Sequence, residues 1–123
     1  MSRLLDTNII IDYLRQRPAA IAFVGALRSK PSVSVATAME LYTGAASRSE
    51  EHRIEQLLVG ALVLPVTLAI ARVAGQHVKH YQRSHGLDDL DAIIAATAEH
   101  HGLALATLNM KHFPMFPKLK APY

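Results

Sequence analysis

Short apolar segments alternate with longer helical patterns along nearly the whole chain, and this alternation restricts the fold more than any other feature of the sequence. The predicted strands are residues 3–5, 32–35, 61–64 and 103–107. Between them, apolar residues recur at helical spacing, as at Leu90, Ile93 and Ile94. Strands that alternate with helices indicate βα units, so we predict an α/β fold with a parallel sheet.

Capping residues mark the predicted ends of the helices. Thr7 or Asn8 is predicted to cap the first helix. Thr37 and Thr67 are predicted to cap the helices that follow the second and third strands. Gly102 is predicted to end the last helix, because glycine readily adopts the left-handed conformation at a helix C-terminus.

The composition excludes several classes of protein. The chain has 123 residues, the length of one domain, so we predict a single domain over residues 1–123. The absence of cysteine excludes disulfides, zinc-thiolate sites and thiol catalysis. No apolar stretch reaches the roughly 20 residues that cross a bilayer, and Asp6 interrupts the first apolar run. We therefore expect a cytoplasmic protein without a membrane span or signal peptide.

Positive charge is concentrated near the C-terminus. The formal net charge is +3, and no acidic residue follows Glu99, whereas Lys111, Lys118 and Lys120 do. This segment is either a solvated basic tail or a surface that binds phosphate.

Acidic side chains fall where predicted strands end and helices begin. The candidates are Asp6, Glu40, Asp88, Asp89 and Asp91, together with the amide of Asn109 after the last strand. In an open parallel sheet the chemistry lies beyond the carboxyl ends of the strands, so the topology can gather these side chains at one edge. Grouped carboxylates raise each other's pKa unless a cation neutralises them. Oxygen ligands alone favour Mg²⁺ or Mn²⁺ over zinc.

Each acid also has a purely structural interpretation. Asp88 precedes a helix and is a typical N-cap. Asp91 is favoured by the helix dipole, and Asp6 suits a turn after a strand. Glu40 can be an ordinary exposed helix residue, and Asp12 is interpreted as a solvated helix position.

Four segments of the chain form a recognisable pattern in a fixed order. They are LLDTNIIID at 4–12, SVATAMELYTG at 34–44, HGLDDLDAIIAATA at 85–98 and TLNMKHF at 107–113. Together they resemble the PIN-domain family, and within it the VapC-type toxins of bacterial toxin–antitoxin pairs. The resemblance implies a three-layer α/β/α sandwich with a mostly parallel central sheet. It also implies that Asp6, Glu40 and Asp91 are catalytic acids that bind a metal.

Two positions depart from the simplest family pattern. The residue after the last strand, often Asp in the family, is Asn109, which offers only an amide carbonyl or a bridging water. Asp88 adds an acid one helical turn from Asp91, and whether it binds metal or caps the helix stays open. Thr7, Asn8 and Thr107 have two open interpretations. They support the reacting phosphate, or they only cap a helix or end a strand.

The activity implied by the resemblance is hydrolysis of RNA phosphodiesters with one or two Mg²⁺ or Mn²⁺ ions, leaving a 5′ phosphate and a 3′ hydroxyl. Such an endoribonuclease inhibits translation. Cations must attract the RNA to an acidic site, and the candidates are Arg15, Lys111 and His112, for which exposed solubilising charge is the alternative. The resemblance also implies a VapB-type antitoxin partner and a homodimer. The apolar segment 19–27 offers a patch for association, although burial in the core explains it equally well.

The sequence also bears on three other functions. A catalytically weak PIN-like module that binds RNA or protein is permitted by Asn109. A receiver-like signalling domain requires adjacent acids after the first strand, whereas the paired acids here lie in a late helix. A phosphatase with Asp6 as nucleophile requires a second acid two residues later, where the sequence has Asn8.

Overall fold

A computed structural model describes residues 2–123. Within these residues the chain forms ten regular elements. They are β1 (Arg3–Leu5), α1 (Thr7–Leu14), α2 (Pro18–Gly25), β2 (Ser32–Ser34), α3 (Val35–Gly44), α4 (Arg48–Val59), β3 (Leu62–Leu64), α5 (Leu68–His85), α6 (Asp89–His101) and β4 (Ala104–Ala106). A single 3₁₀ turn, Met110–His112, follows β4. None of the helices in this described part has both the length and the hydropathy that a bilayer span requires.

The four strands form one sheet in the order β3-β2-β1-β4, and all neighbouring pairs are parallel. Successive side chains of a strand point to opposite faces, so adjacent residues of β1 enter different cores. Leu4 packs with α5, α6 and Phe113, whereas Leu5 packs with α1, α4 and Val33. Helices therefore cover both faces of the sheet, and the predicted α/β/α sandwich with a parallel sheet is confirmed.

The longest helices begin and end as the sequence predicts. The Thr67 hydroxyl accepts a hydrogen bond from Ile70 N–H at the start of α5. Gly102 adopts the left-handed conformation, with φ of 63°, and ends α6. Gly86 does the same at the end of α5, with φ of 67°, and lets the chain reverse into α6.

The predicted caps of α1 and α3 are wrong by one to three residues. Asp6 caps α1 by accepting a hydrogen bond from Thr7 N–H, and Ser34 caps α3 by accepting one from Ala36 N–H. The physical reason is that β1 and β2 pass into these helices almost without a connecting loop. The cap is therefore at or next to the last strand residue, and Thr37 lies inside α3.

The expectation that Asp12 is solvated is also wrong. Only 8% of Asp12 is exposed, and its Oδ2 accepts a hydrogen bond of 2.7 Å from the hydroxyl of Tyr123. Arg17 Nε lies 3.4 Å from the other oxygen. Burial and the bond to Asp12 raise the pKa of Tyr123 to about 12, so the phenol keeps its proton at neutral pH. The Tyr123 ring also packs beside Phe23, which fixes the C-terminal segment against α1 and α2.

We expect Tyr123→Phe to lower the free energy of unfolding by about 1–3 kcal/mol, because the buried carboxylate of Asp12 loses its donor. Urea denaturation measures the difference. Tyr42→Phe is the matched control, since Tyr42 lies on an exposed part of α3 and should change stability by less than about 0.5 kcal/mol. Equal effects of the two substitutions would contradict a specific contact at Asp12.

Candidate active site

Asp6 lies at the carboxyl end of β1 and is only 4% exposed. β1 and β4 are parallel with Leu5 opposite Ala106, so the residues that follow, Asp6 and Thr107, lie side by side. Asp6 Oδ1 accepts from Thr7 N–H at 2.7 Å, and Oδ2 accepts from the Thr107 hydroxyl at 2.7 Å. Both oxygens of this carboxylate are therefore held by the backbone and side chains of neighbouring elements.

Glu40 approaches Asp6 from α3. Its Oε1 accepts a hydrogen bond of 2.6 Å from the hydroxyl of Thr7, which lies 3.1 Å from the hydroxyl of the fully buried Thr37. Thr7 thus joins the two acids, with its N–H on Asp6 and its hydroxyl on Glu40. Because α3 begins at Val35, Glu40 lies in its second turn rather than in the first turn that the sequence predicts.

Asp88 and Asp91 contribute from the start of α6. Asp88 is the N-cap, and its Oδ1 accepts from Asp91 N–H at 2.8 Å, so the capping interpretation is confirmed. A role in binding metal stays a prediction. The side chain of Asp91 is 14% exposed, and its Oδ2 lies 3.3 Å from Nδ1 of His112.

The pKa values show that these carboxylates act on one another. Burial raises the pKa of Asp6, the hydrogen bonds from Thr107 and Thr7 partly oppose this, and the charges of Glu40 and Asp88 raise it further. Burial first, and then the charges of Asp88 and Asp6, raise the pKa of Asp91 to about 6, while His112 lowers it. The topology therefore brings Asp6, Glu40, Asp88 and Asp91 within electrostatic reach at the carboxyl edge of the sheet.

The chemistry of this cluster fits a hard divalent cation. Repulsion among desolvated carboxylates is relieved by a cation, and the donors are all oxygen. Over residues 2–123, no three His, Cys, Asp or Glu side chains close into a shared coordination sphere. Mg²⁺ usually keeps several waters and needs only one or two direct carboxylates, so loosely grouped acids suit it.

The supporting residues differ in how close they lie to the cluster. Asn8 Nδ2 lies 3.4 Å from Asp6 Oδ2 and 3.5 Å from the Thr107 hydroxyl, so it belongs to the same network. Asn109 is exposed and donates its backbone N–H to Thr107 at 3.0 Å, so its part in the network is made by the main chain. The ligand role predicted for its side chain stays a prediction.

The basic residues predicted to attract RNA lie around the edge of the acidic cluster. Arg15 and Lys111 are exposed, and His112 contacts Asp91. Arg15 also lines a cavity of about 320 Å³ beside Glu40. Arg53 lines it too, and nothing in the local sequence singles out this residue of α4. Sequence reasoning also missed Thr37 as part of the acid network, although a threonine among apolar neighbours early in a helix is a usable signal.

Comparison with known proteins finds relatives along nearly the whole chain. The family model described as PIN domain matches residues 3–116. The chain is 38% identical over 125 residues to Ribonuclease VapC19 of Mycobacterium tuberculosis, covering 98% of this chain and 99% of that protein. It is 42% identical to Ribonuclease VapC10 of the same organism, covering 98% and 92%. A toxin–antitoxin complex from Klebsiella pneumoniae matches with a TM-score of 0.82 and 32% identity over 98% of both chains.

The raised pKa of Asp91 means that the metal-free folded state binds this proton more tightly than the unfolded state does. Its ionisation therefore costs stability as pH rises from the ordinary value of 3.8 through about 6. We expect Asp91→Asn to be more stable than wild type by about 1–2 kcal/mol at about pH 7.5 in a chelator, with the gain vanishing near about pH 4.

Urea denaturation at the two pH values measures this gain. Asp89→Asn is the control, because Asp89 is exposed in the same turn of α6, and this substitution should give no comparable gain in stability. A wild-type protein more stable than Asp91→Asn at the higher pH would show that burial and the neighbouring charges do not raise the pKa of Asp91 as described.

Proposed function

The chain belongs to the PIN domain family, and from that premise we propose that it is a metal-dependent endoribonuclease, the toxin of a VapBC-type toxin–antitoxin pair, which inhibits translation by hydrolysing RNA. The observation that carries this proposal is the buried Asp6, held within electrostatic reach of Glu40, Asp88 and Asp91 at the carboxyl edge of the sheet. Relatives at 38% and 42% identity are named ribonucleases, which supports the same activity. Such an enzyme acts in the cytoplasm.

Asp6, Glu40 and Asp91 would hold Mg²⁺ or Mn²⁺, with Asp88 as a further ligand. The bound ion would lower the pKa of a water and stabilise charge on the phosphate oxygens. Thr7 and Thr107 keep the Asp6 carboxylate in one orientation through its two oxygens. Asn8 also contacts the Thr107 hydroxyl. These hydrogen bonds would hold the side chains of the site in place while a phosphodiester is aligned beside them. Hydrolysis there would leave a 5′ phosphate and a 3′ hydroxyl.

Exposed basic side chains around the acidic cluster would attract the RNA substrate. Lys111 lies one residue before His112 and is exposed, and Arg15 is exposed beside the cavity that reaches Glu40. These exposed side chains would contact phosphates of an RNA bound at the acids. Binding of RNA should then weaken steeply with salt, because each phosphate contact releases counterions.

An antitoxin is the proposed partner at the cavity of about 320 Å³ that Arg15 lines. Its walls are mostly aliphatic and include Ile11, Leu14, Leu41 and Ile54. A partner segment with apolar side chains and one basic residue directed at Glu40 would match these walls and would cover the acids. The 32%-identical structure is described as a toxin–antitoxin complex, which supports a partner of this kind.

A second copy of the chain is the proposed partner at the outer face of α3. Val35, Met39 and Tyr42 share one side of this helix and are 45%, 55% and 39% exposed. The segment 19–27 that the sequence offers as a patch is partly exposed as well, with Ile21 at 43%. A contiguous exposed apolar face is typical of an association surface, and this favours the predicted homodimer.

A catalytically weak PIN-like binding module is the second candidate. Asn109 removes a charge from the last position of the family pattern. In the described chain no three acids close into one coordination sphere. A protein that binds RNA in the presence of Mn²⁺ without cutting it would favour this function over the nuclease.

Substitution of the acids tests the nuclease directly. We expect Asp6→Asn, Glu40→Gln and Asp91→Asn each to reduce RNA cleavage by about 100-fold or more, because each removes a proposed metal ligand. Glu99→Gln, an exposed acid late in α6, is the control and should cleave like wild type. RNA ends mapped in cells that express wild type or Asp91→Ala give the second readout, and equal cleavage from both would end the catalytic assignment.

Stabilisation by metal tests the ligands without RNA. Mn²⁺ that binds only the folded state should raise the free energy of unfolding by about 2.7 kcal/mol at a free concentration of about 100 times Kd. Asp6→Asn and Asp91→Asn should lose this increment, whereas Asp89→Asn should keep it. Thermal denaturation with and without Mn²⁺ at constant ionic strength measures the difference, and an unchanged increment in Asp91→Asn would remove Asp91 from the ligand set.

A further inference from the structure

His112 lies against the acidic cluster, next to Asp91. It ends the 3₁₀ turn after β4, and its backbone N–H donates to Asn109 carbonyl at 3.0 Å. The next residue, Phe113, is fully buried in the core and anchors the turn. The backbone of this turn therefore holds the imidazole beside Asp91 at the start of α6, and only 27% of the His112 side chain is exposed.

The two ring nitrogens of His112 face different surroundings. Nδ1 is buried and lies 3.3 Å from Asp91 Oδ2, close enough for an ion pair but not aligned as a hydrogen bond. Among residues 2–123, Nδ1 of His112 is the one buried side-chain nitrogen or oxygen that has no hydrogen-bond partner. Nε2 lies on the side of the ring that faces Gly86, 3.8 Å from the point that a Cβ there would occupy, which is an ordinary van der Waals distance.

A buried nitrogen without a partner costs free energy, and the carboxylate oxygen of Asp91 is 3.3 Å away. A small rotation of the carboxylate or the ring converts this contact into a charge-assisted hydrogen bond. Carboxylates that bind metals are themselves commonly held by hydrogen bonds, and the loss of such a partner weakens metal binding.

We propose that His112 is a positioning residue for Asp91, whose Nδ1–H donates to Oδ2 and leaves Oδ1 to face a divalent cation. This inference rests on the proposed metal-dependent function, because it gives Asp91 the role of ligand. It replaces the phosphate contact expected for His112 from the sequence. A phosphate contact would use the more outward Nε2, whereas positioning of Asp91 uses Nδ1.

The two nitrogens can be tested separately by isosteric substitution. The amide nitrogen of Asn occupies the place of Nδ1, and that of Gln the place of Nε2. We expect His112→Gln and His112→Leu to weaken Mn²⁺ binding by about 10-fold, whereas His112→Asn retains most of the wild-type affinity. Isothermal titration of the metal-free protein with Mn²⁺, without RNA, measures this. His100→Leu, exposed at the far end of α6, is the control and should bind like wild type.

Two results would overturn the proposal. One is equal Mn²⁺ affinity in His112→Asn and His112→Gln, whether both are weakened or both are unchanged. The other is unchanged Mn²⁺ affinity with RNA binding retained by His112→Gln and lost by His112→Asn, which would restore the phosphate contact. Wild type that binds no Mn²⁺ would instead refute the proposed function itself, so the two failures are distinguishable.

A second measurement needs no substitution and covers variants that do not fold. ¹⁵N spectra of the histidine rings in wild type with Mg²⁺ report which nitrogen carries the proton. The proposal requires the proton on Nδ1 of His112 in the Mg²⁺-loaded protein. A neutral His112 ring protonated on Nε2 alone would overturn it.

Discussion

The hydrogen-bonded burial of one carboxylate, that of Asp6, determines most of what this fold can do. It ends β1, caps α1 through Thr7 N–H, and receives the hydroxyl of Thr107 from the neighbouring strand end. The same position therefore closes a strand, begins a helix and places a desolvated charge at the edge of the sheet. Any shift in the β1–β4 register would separate Asp6 from Thr107 and leave the buried charge with fewer donors.

The other acids of the cluster are arranged around the charge of Asp6. Thr7 has one donor on Asp6 and its hydroxyl on Glu40, so the start of α1 fixes the distance between two like charges. Asp88 stabilises α6 as its N-cap, yet it also raises the pKa of Asp6 and of Asp91. These residues improve local structure while they worsen electrostatics. Perturbed carboxylates of this kind are common at functional sites, and the proposed cation would relieve their repulsion.

Local patterns in the sequence predicted the features that depend on neighbours along the chain. The alternation of apolar runs gave the parallel sheet, Thr67 and Gly102 marked helix ends, and the carboxyl-end rule brought the separated acids together. Contacts between distant segments had no such signal. Asp12 reads as a solvated helix position because the hydroxyl that buries it comes from Tyr123, at the other end of the chain. The contact of His112 with Asp91 depends on a turn whose direction no periodicity encodes.

Glu40 connects the acidic cluster to the cavity of about 320 Å³ proposed as the partner site. Its carboxylate accepts from Thr7 within the cluster, and the same side chain lines the aliphatic cavity that Arg15 and Arg53 border. Arg53 also donates to the carbonyl of Leu14, so α4 and the end of α1 hold this wall in place. A segment that filled the cavity would meet Glu40 directly and desolvate a charge that already acts on Asp6. Under the proposed function, occupation of the cavity and binding of a cation would therefore be coupled through one side chain, and a partner with a basic group there would compete with the metal for the same negative charge.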